Sequence, residues 1–196
     1  MERIAKYGRR IVFLSAPLKT PHPFLQQPNP LRVLHTQIER LIETSILEWT
    51  FLRPGIFAAN ALSWWAPQMR AGDRVRWPYL SVATAPIDER DIAAVAVCAL
   101  CEKGHASADY VLSGPESLTQ FEQLSTIARV MGRALEIEEM SPDEARRSLP
   151  AFLLDAWEAA IGQPAWVTST VAEITGSPAR TFARWAIHHA AAFRQA

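Results

Sequence analysis

The stretch Trp49-Thr50-Phe51-Leu52-Arg53-Pro54-Gly55-Ile56-Phe57-Ala58-Ala59-Asn60 decides how the fold of this chain is interpreted. Its first half is a short apolar run, which is typical of a strand covered on both faces. The Pro-Gly pair that follows favours a turn, and a helix is expected to begin near Asn60. The stretch therefore predicts a buried strand that ends at a tight turn and leads into a helix.

Two upstream segments complete a strand–helix–strand unit. The run from Arg10 to Ser15 is apolar and short, and it predicts a first buried strand. Residues 31–44 predict a helix, whose apolar stripe consists of Leu31, Leu34, Ile38, Leu41 and Ile42. A strand, a helix and a second strand in this order predict parallel strands joined by a right-handed crossover, as in α/β folds.

The rest of the chain alternates short strands with helices up to Gly114 and is mostly helical afterwards. Short strands are predicted at residues 75–77, 84–88, 110–113 and 135–138, and a helix at residues 91–102. Three later helix starts are predicted at Thr119, Ser141-Pro142 and Ser177-Pro178, and the first two have the capping-box partners Glu122 and Glu144. The pattern divides the chain at Gly114-Pro115.

Composition excludes several functional classes. The 196 residues carry 20 basic and 20 acidic side chains, so the net charge of zero argues against a nucleic-acid or anionic-membrane partner. No apolar run is long enough to span a bilayer, and no signal peptide is recognised. Two cysteines give no disulfide framework, which predicts a cytoplasmic protein. Cys98 and Cys101 lie mid-helix and are interpreted as buried thiols rather than a redox pair, and no metal site is predicted.

The motifs in their order resemble those of NmrA-like proteins, an atypical branch of the short-chain dehydrogenase/reductase superfamily. Four segments carry the resemblance: Val12-Phe13-Leu14-Ser15, His35-x-x-x-Glu39, the 49–60 stretch, and Ile87-Asp88-x-Arg90-Asp91-Ile92-Ala93. Two weaker matches are Tyr110-Val-Leu-Ser-Gly-Pro115 and the segment from Ile174 to Trp185. The resemblance covers the C-terminal two-thirds of such a protein.

The resemblance implies a partial Rossmann-like, doubly wound and mainly parallel sheet that binds NAD(P) at the carboxyl ends of its strands. Residues 1–115 would form the incomplete NAD(P)-binding part, and residues 116–196 a small, mostly helical lobe on the substrate side. The family's Gly-x-x-Gly-x-x-Gly turn, which receives the pyrophosphate, does not occur in this sequence. A truncated chain with impaired cofactor binding is therefore expected.

The function implied by the resemblance is NAD(P)H-dependent reduction of a small carbonyl or quinone-like substrate. The alternative is a non-catalytic redox-sensing, regulatory or interaction protein, and a third possibility is a remnant without independent function. A Rossmann-like sheet that lacks its first half exposes a parallel strand edge, which predicts self-association.

The candidate catalytic residues are His35 and Glu39, which lie one helical turn apart. Typical short-chain dehydrogenases have Tyr and Lys there, and the Tyr hydroxyl donates the proton. His35 can donate a proton near neutral pH, whereas Glu39 could orient His35 or accept a ribose hydroxyl. The alternative is a polar pair that faces a crevice without chemistry.

Five residues are candidates for cofactor binding: Ser15 at a strand end, and Pro54, Gly55, Phe57 and Asn60 in the segment that borders the nicotinamide in the family. Gly55 permits close approach of the backbone to a ligand, and Phe57 could cover the nicotinamide ring. The alternative for Pro54 and Gly55 is a turn that needs them for its geometry, and for Ser15 a hydroxyl that binds the backbone.

Overall fold

The computed structural model describes residues 9–17, 20–27 and 30–194. The strands of this part are β1 (Arg10–Leu14), β2 (Glu48–Pro54), β3 (Arg74–Trp77), β4 (Ala83–Thr84), β5 (Ala108–Leu112), β6 (Leu118–Thr119) and β7 (Glu136–Glu139). Its helices are α1 (Pro23–Gln26), α2 (Pro30–Glu43), α3 (Asn60–Trp64), α4 (Ala66–Ala71), α5 (Glu89–Cys101), α6 (Gln120–Met131), α7 (Pro142–Ala145), α8 (Ala151–Ala159), α9 (Thr170–Thr175) and α10 (Phe182–His188), followed by a 3₁₀ turn at Ala190–Phe193.

A parallel sheet with the order β1-β2-β5 positions the functional part of the molecule. In its register Leu14 lies beside Leu52, and Pro54 lies beside Leu112, so the strands end at a common edge. Helix α2 lies against one face of this sheet, and α5 and α9 lie against the other. The predicted α/β fold and its parallel β1–α2–β2 unit are confirmed.

Two apolar cores support the sheet and the lobe beside it. The first lies between the sheet and α5 and includes Leu52, Val95 and Leu112. The second is the core of the lobe and is rich in tryptophan: Trp65, Trp77, Trp157 and Trp185. Residues from both sides of Gly114 contribute to each core. The division into residues 1–115 and 116–196 stays a prediction. Each of the two cores contains residues from both parts.

The predicted helix starts have different outcomes. The capping box of Thr119 and Glu122 is confirmed at the start of α6. Ser141 caps α7 as predicted, but the side chain of Glu144 binds Arg76 rather than the helix start. In the part of the chain that the structure describes, no helix has both the length and the apolar character needed to cross a membrane.

The predicted helix start at Ser177-Pro178 is wrong. Helix α10 begins at Phe182, and its cap is the Thr181 side chain, which accepts a hydrogen bond from the backbone of Arg184. The physical reason lies upstream of the helix. Asp91 on α5 accepts hydrogen bonds from both the backbone and the guanidinium of Arg180, so this segment is held against α5 and stays irregular.

The apolar stripe predicted on α2 is only partly buried. Ile42 is 1% exposed, whereas Leu34 is 50% and Leu41 is 60% exposed. The helix contacts the sheet through the neighbouring face, which carries His35 and Glu39. Among the described residues, β1 has a strand partner on one side only. Self-association through this edge stays a prediction.

Candidate active site

A cleft opens at the common carboxyl edge of the parallel strands. Its floor consists of residues at or just after the ends of β1, β2 and β5: Ala16, Pro17, Pro54, Gly55, Ile56, Leu112 and Ser113. In α/β sheets, ligands bind outside the carboxyl ends of the strands, because the connections that leave the sheet diverge there. The position of the cleft therefore makes it the candidate active site.

Helices on two sides form the walls of this cleft. Phe24 and Leu25 of α1 line both of its chambers, and Phe152, Leu153 and Ala156 of α8 line the larger one. The cavity volume of the larger chamber is about 170 Å³ and that of the smaller is about 30 Å³. Both volumes are below the roughly 300–1,000 Å³ that is typical of small-molecule sites, so each chamber is a shallow part of an open cleft. The lining of both chambers is mainly apolar.

The smaller chamber contains ordered polar contacts. Nδ1 of His22 accepts from the backbone N–H of Phe24 at 3.3 Å, so the ring proton is on Nε2, which donates to the Pro164 carbonyl at 2.9 Å. The Ser113 hydroxyl accepts from the backbone N–H of Thr168 at 2.8 Å. These bonds fix the chamber's walls and leave its interior apolar.

A buried ion-pair network lies beneath the floor. Arg53 is 1% exposed, and its guanidinium donates to Glu39 at 2.6 Å (Nη1 to Oε1) and 3.1 Å (Nη2 to Oε2). It also donates to Asp109 and, at 2.9 Å, to the carbonyl of Ala16. The Ser15 hydroxyl donates to Glu39. The network thus joins α2, β2 and β5 to the residues that follow β1.

Electrostatics keep Arg53 charged despite its burial. Burial by itself lowers the pKa of Arg53, but hydrogen bonds and charge attraction from Asp109 and Glu39 raise its pKa by more, and the net shift is upward. A buried guanidinium with two carboxylates is strongly destabilised if one partner is lost. The network therefore holds the floor in a single arrangement.

The structure brings together two of the predicted site residues and separates a third. Ser15 and Glu39 bind each other beneath the cleft, whereas His35 is not among the described residues that line it. The His35 ring lies 5.8 Å from that of Phe13, and its buried Nδ1 has no partner among the described residues. The oxygens of Glu39 accept from Arg53 and Ser15, and no hydrogen bond between Glu39 and His35 is seen among the described residues.

The segment after β2 meets the prediction in part. Pro54 and Gly55 line the cleft as expected. Phe57 instead pairs with Ile87 and packs in the core under α5, and Ile56 takes the position at the cleft. Asn60 begins α3 and does not line either chamber. The change follows from strand-like pairing at residues 56–58, because neighbouring side chains there point in opposite directions.

Sequence reasoning missed three contributors to the cleft. They are the α1 residues Phe24 and Leu25, the α8 wall, and Arg32 in the first turn of α2, whose guanidinium donates to the Leu25 carbonyl. The α8 run Ala-Phe-Leu-Leu-Asp-Ala-Trp-Glu-Ala is rich in strong helix formers and could have been recognised. Arg32 lies in the helix predicted over residues 31–44, but nothing in the local sequence indicated that Phe24 or Arg32 would reach the cleft.

Comparison with solved structures places this geometry among known folds. The NADPH-dependent quinone oxidoreductase of Escherichia coli superimposes with a TM-score of 0.73 and 23% sequence identity, covering 94% of this chain and 68% of that one. The fold is Rossmann-like. At this level of identity the likeness shows the fold alone, and it confirms the α/β class predicted from the sequence.

Two curated relatives resemble this chain in sequence. The "(4-alkanoyl-5-oxo-2,5-dihydrofuran-3-yl)methyl phosphate reductase" of Streptomyces griseus is 43% identical over 164 residues, covering 79% of this chain and 58% of the relative. The "NAD(P)H azoreductase" of Xenophilus azovorans is 35% identical over 165 residues, covering 79% and 57%. The chain thus spans less than three-fifths of the length of these relatives. No protein-family model matches it.

Proposed function

We propose that this chain forms the nicotinamide and substrate side of an NAD(P)H-dependent reductase site. The observation that carries the proposal is the Pro54-Gly55-Ile56 backbone, which follows the central strand β2 and lines the apolar cleft. Both relatives are named as reductases, and the name of one includes NAD(P)H. These names support the proposal that the cleft is a reductase site. The statement that this chain is itself active belongs to the proposal alone.

The residues of the cleft fit a nicotinamide ring. A Cβ added at Gly55 would have a single neighbour within 4 Å, the Leu112 carbonyl oxygen at 3.8 Å, so the space beside Gly55 is open. A flat ring can therefore approach the backbone there, with Pro54 and Ile56 as apolar neighbours. No Gly-x-x-Gly-x-x-Gly turn occurs in the sequence, so we propose that affinity comes from the nicotinamide side and is weak for the whole dinucleotide.

The proposed reaction needs little acid catalysis from the chain. NAD(P)H, when bound, supplies a hydride and leaves as NAD(P)⁺, and a proton from solvent completes the two-electron reduction of the acceptor. Quinone and azo groups are conjugated acceptors, so the charge formed on hydride addition spreads to oxygen or nitrogen. The chain's contribution is to orient the acceptor between Ile56 and α8 and to exclude water.

The catalytic roles predicted for His35 and Glu39 become different proposals. Glu39 is proposed as a positioning residue, because it holds Arg53 and Ser15 under the floor rather than facing the cleft. His35 lies outside the described lining of the cleft, with its ring 5.8 Å from that of Phe13, so we propose that it packs on the sheet and that the proton comes from solvent instead. Ser15 is proposed to fix the floor through Glu39, and Phe57 and Asn60 to support the 54–60 segment from outside.

The test is oxidation of NADPH by 1,4-naphthoquinone, with Gly55→Leu as the variant. The added side chain fills the space beside Gly55, so we expect kcat/KM to fall at least about tenfold, while the fold is retained. The matched control is Gly72→Leu, because Gly72 lies outside the cleft and has open space around it. Equal activity in the wild type and Gly55→Leu would contradict the proposed site.

The same assay separates the regulatory alternative. A chain that binds NADPH, detected by a rise in melting temperature, but shows no oxidation with conjugated acceptors would be a sensor rather than a reductase. Turnover that Gly55→Leu reduces would favour the reductase.

A further inference from the structure

Trp166 differs from the other tryptophans of this chain in its surroundings. All seven lie in the described part of the chain, and the other six each lie beside another aromatic ring. Trp166 is 41% exposed, and its side chain has neither a ring contact nor a hydrogen bond among the described residues. A large aromatic side chain gains free energy when it is covered. The exposed indole is therefore open to a ligand that covers it.

The backbone on both sides of Trp166 is fixed, although the segment between α8 and α9 that carries it is irregular. Before Trp166, the Pro164 carbonyl accepts from Nε2 of His22 at 2.9 Å. After it, the backbone N–H of Thr168 donates to the Ser113 hydroxyl at 2.8 Å. A ligand that stacks on Trp166 therefore does not have to order the backbone there, which lowers the free-energy cost of binding.

Trp166 lies at the smaller chamber of the cleft. The rings of His22 and Phe24 line the same chamber, and Ile56 lines both chambers. The cavity volume of about 30 Å³ has room for roughly two water-sized groups, so an aromatic ring does not fit inside it. A flat ring that extends from Ile56 toward this side therefore stays at the mouth of the chamber, beside the indole.

We propose that Trp166 is a specificity-determining residue that selects fused-ring acceptors. The reducible ring of the acceptor lies near Ile56, and its second, fused ring stacks on the exposed indole. Aromatic pairs gain free energy beyond that of the buried area, whereas a puckered, saturated ring of similar size gains only the latter. The substrate class is thus a flat, bicyclic aromatic acceptor. This inference rests on the proposed function for the identity of the cleft, but the stacking needs no turnover.

The test compares two bicyclic alcohols that differ in aromaticity: 2-naphthol and its saturated counterpart, 2-decalol. Isothermal titration calorimetry of the full chain is expected to show that 2-naphthol binds about threefold to tenfold more tightly, because only its flat rings stack on the indole. Equal affinities of the two probes for the wild-type chain would overturn the inference.

Variants assign this preference to one residue. Trp166→Leu should reduce the ratio of the two affinities to near one, and Trp166→Phe should restore part of it because an aromatic ring returns. The matched control is Phe121→Leu, since Phe121 is 49% exposed on α6 and lies outside both chambers. A merely loosened segment would weaken the binding of both probes alike and leave their ratio unchanged. A ratio that survives Trp166→Leu would overturn the inference.

A second measurement uses the wild-type chain and does not depend on the folding of a variant. In NMR spectra, 2-naphthol should shift the ring-proton resonances of Trp166 upfield, because a stacked aromatic ring shields them, and 2-decalol should not. The resonances are assigned by their loss in Trp166→Phe. Absence of an upfield shift with 2-naphthol would overturn the inference.

Competition with reduced nicotinamide mononucleotide separates an acceptor ring from the cofactor ring. Retained, Trp166-dependent binding of 2-naphthol supports an acceptor subsite, whereas its displacement assigns the indole to the cofactor and overturns the inference. Absence of NADPH oxidation with any acceptor would contradict the proposed function alone, because naphthol binding is measured without it. In an active chain, Trp166→Leu should raise KM for 1,4-naphthoquinone about threefold to tenfold and leave kcat nearly unchanged. An unchanged KM would overturn the inference.

Discussion

Replacement of Arg53 by Met is expected to lower the free energy of unfolding by about 3–5 kcal/mol, because the variant leaves buried carboxylate charge without its partner. Glu39 is 6% exposed, and Arg53 binds both of its oxygens. The measurement is urea denaturation at neutral pH, followed by tryptophan fluorescence. The carbonyl of Ala16 also loses its donor, so the floor of the cleft should loosen.

Two further variants control this experiment. Arg146→Met removes an exposed ion pair with Asp143 on the lobe and should cost less than about 1 kcal/mol. The double variant Glu39→Gln/Arg53→Met removes one of the buried charges together with the arginine, and should regain part of the loss. An Arg53→Met variant that is no less stable than Arg146→Met would show that the buried network does not hold the floor.

Truncation of Trp157 to Ala is expected to cost about 3–5 kcal/mol of stability through the cavity that it leaves. Its side chain is fully buried, and its ring centroid lies 5.5 Å from that of Trp64 and 5.7 Å from that of Trp77. Because α8 carries Trp157 on its core side and Phe152 on its cleft side, acceptor binding should weaken as well.

The matched control for this truncation is Trp166→Ala. Trp166 is 41% exposed and lines the smaller chamber, so its loss should lower the melting temperature much less than Trp157→Ala does. Melting temperatures by calorimetry and naphthoquinone affinity by titration report the two effects separately. Equal destabilisation by the two truncations would contradict the assignment of Trp157 to the core of the lobe.

The elements that could be predicted from the sequence are those that local pattern determines. Apolar runs indicated the strands β1 and β2, and periodic apolar residues indicated the helix α2, without any information on which elements pack against them. The capping box of Thr119 and Glu122 spans only four residues, so it too could be recognised locally. The start of α10 could not be predicted in this way, because Arg180 is held by Asp91, which lies 89 positions earlier in the chain.

The same distinction applies to the candidate site. Pro54 and Gly55 were recognised because a turn after a strand has a local signature. Glu39 was expected to orient His35, one helical turn away, or to accept a ribose hydroxyl, yet it binds Arg53 on the neighbouring strand β2. The α8 wall and Arg32 reach the cleft only through tertiary packing, so no local pattern placed them there.

The most direct test of the central claim uses reduced nicotinamide mononucleotide, which has the nicotinamide and one phosphate but no adenosine. Saturation-transfer NMR with the wild-type chain is expected to show stronger transfer to the ring protons than to the ribose, because the ring lies in the cleft beside Gly55. Gly55→Leu should abolish this transfer, and Gly72→Leu should retain it. Absence of transfer in the wild type, or equal transfer in both variants, would contradict the assignment of this cleft to nicotinamide.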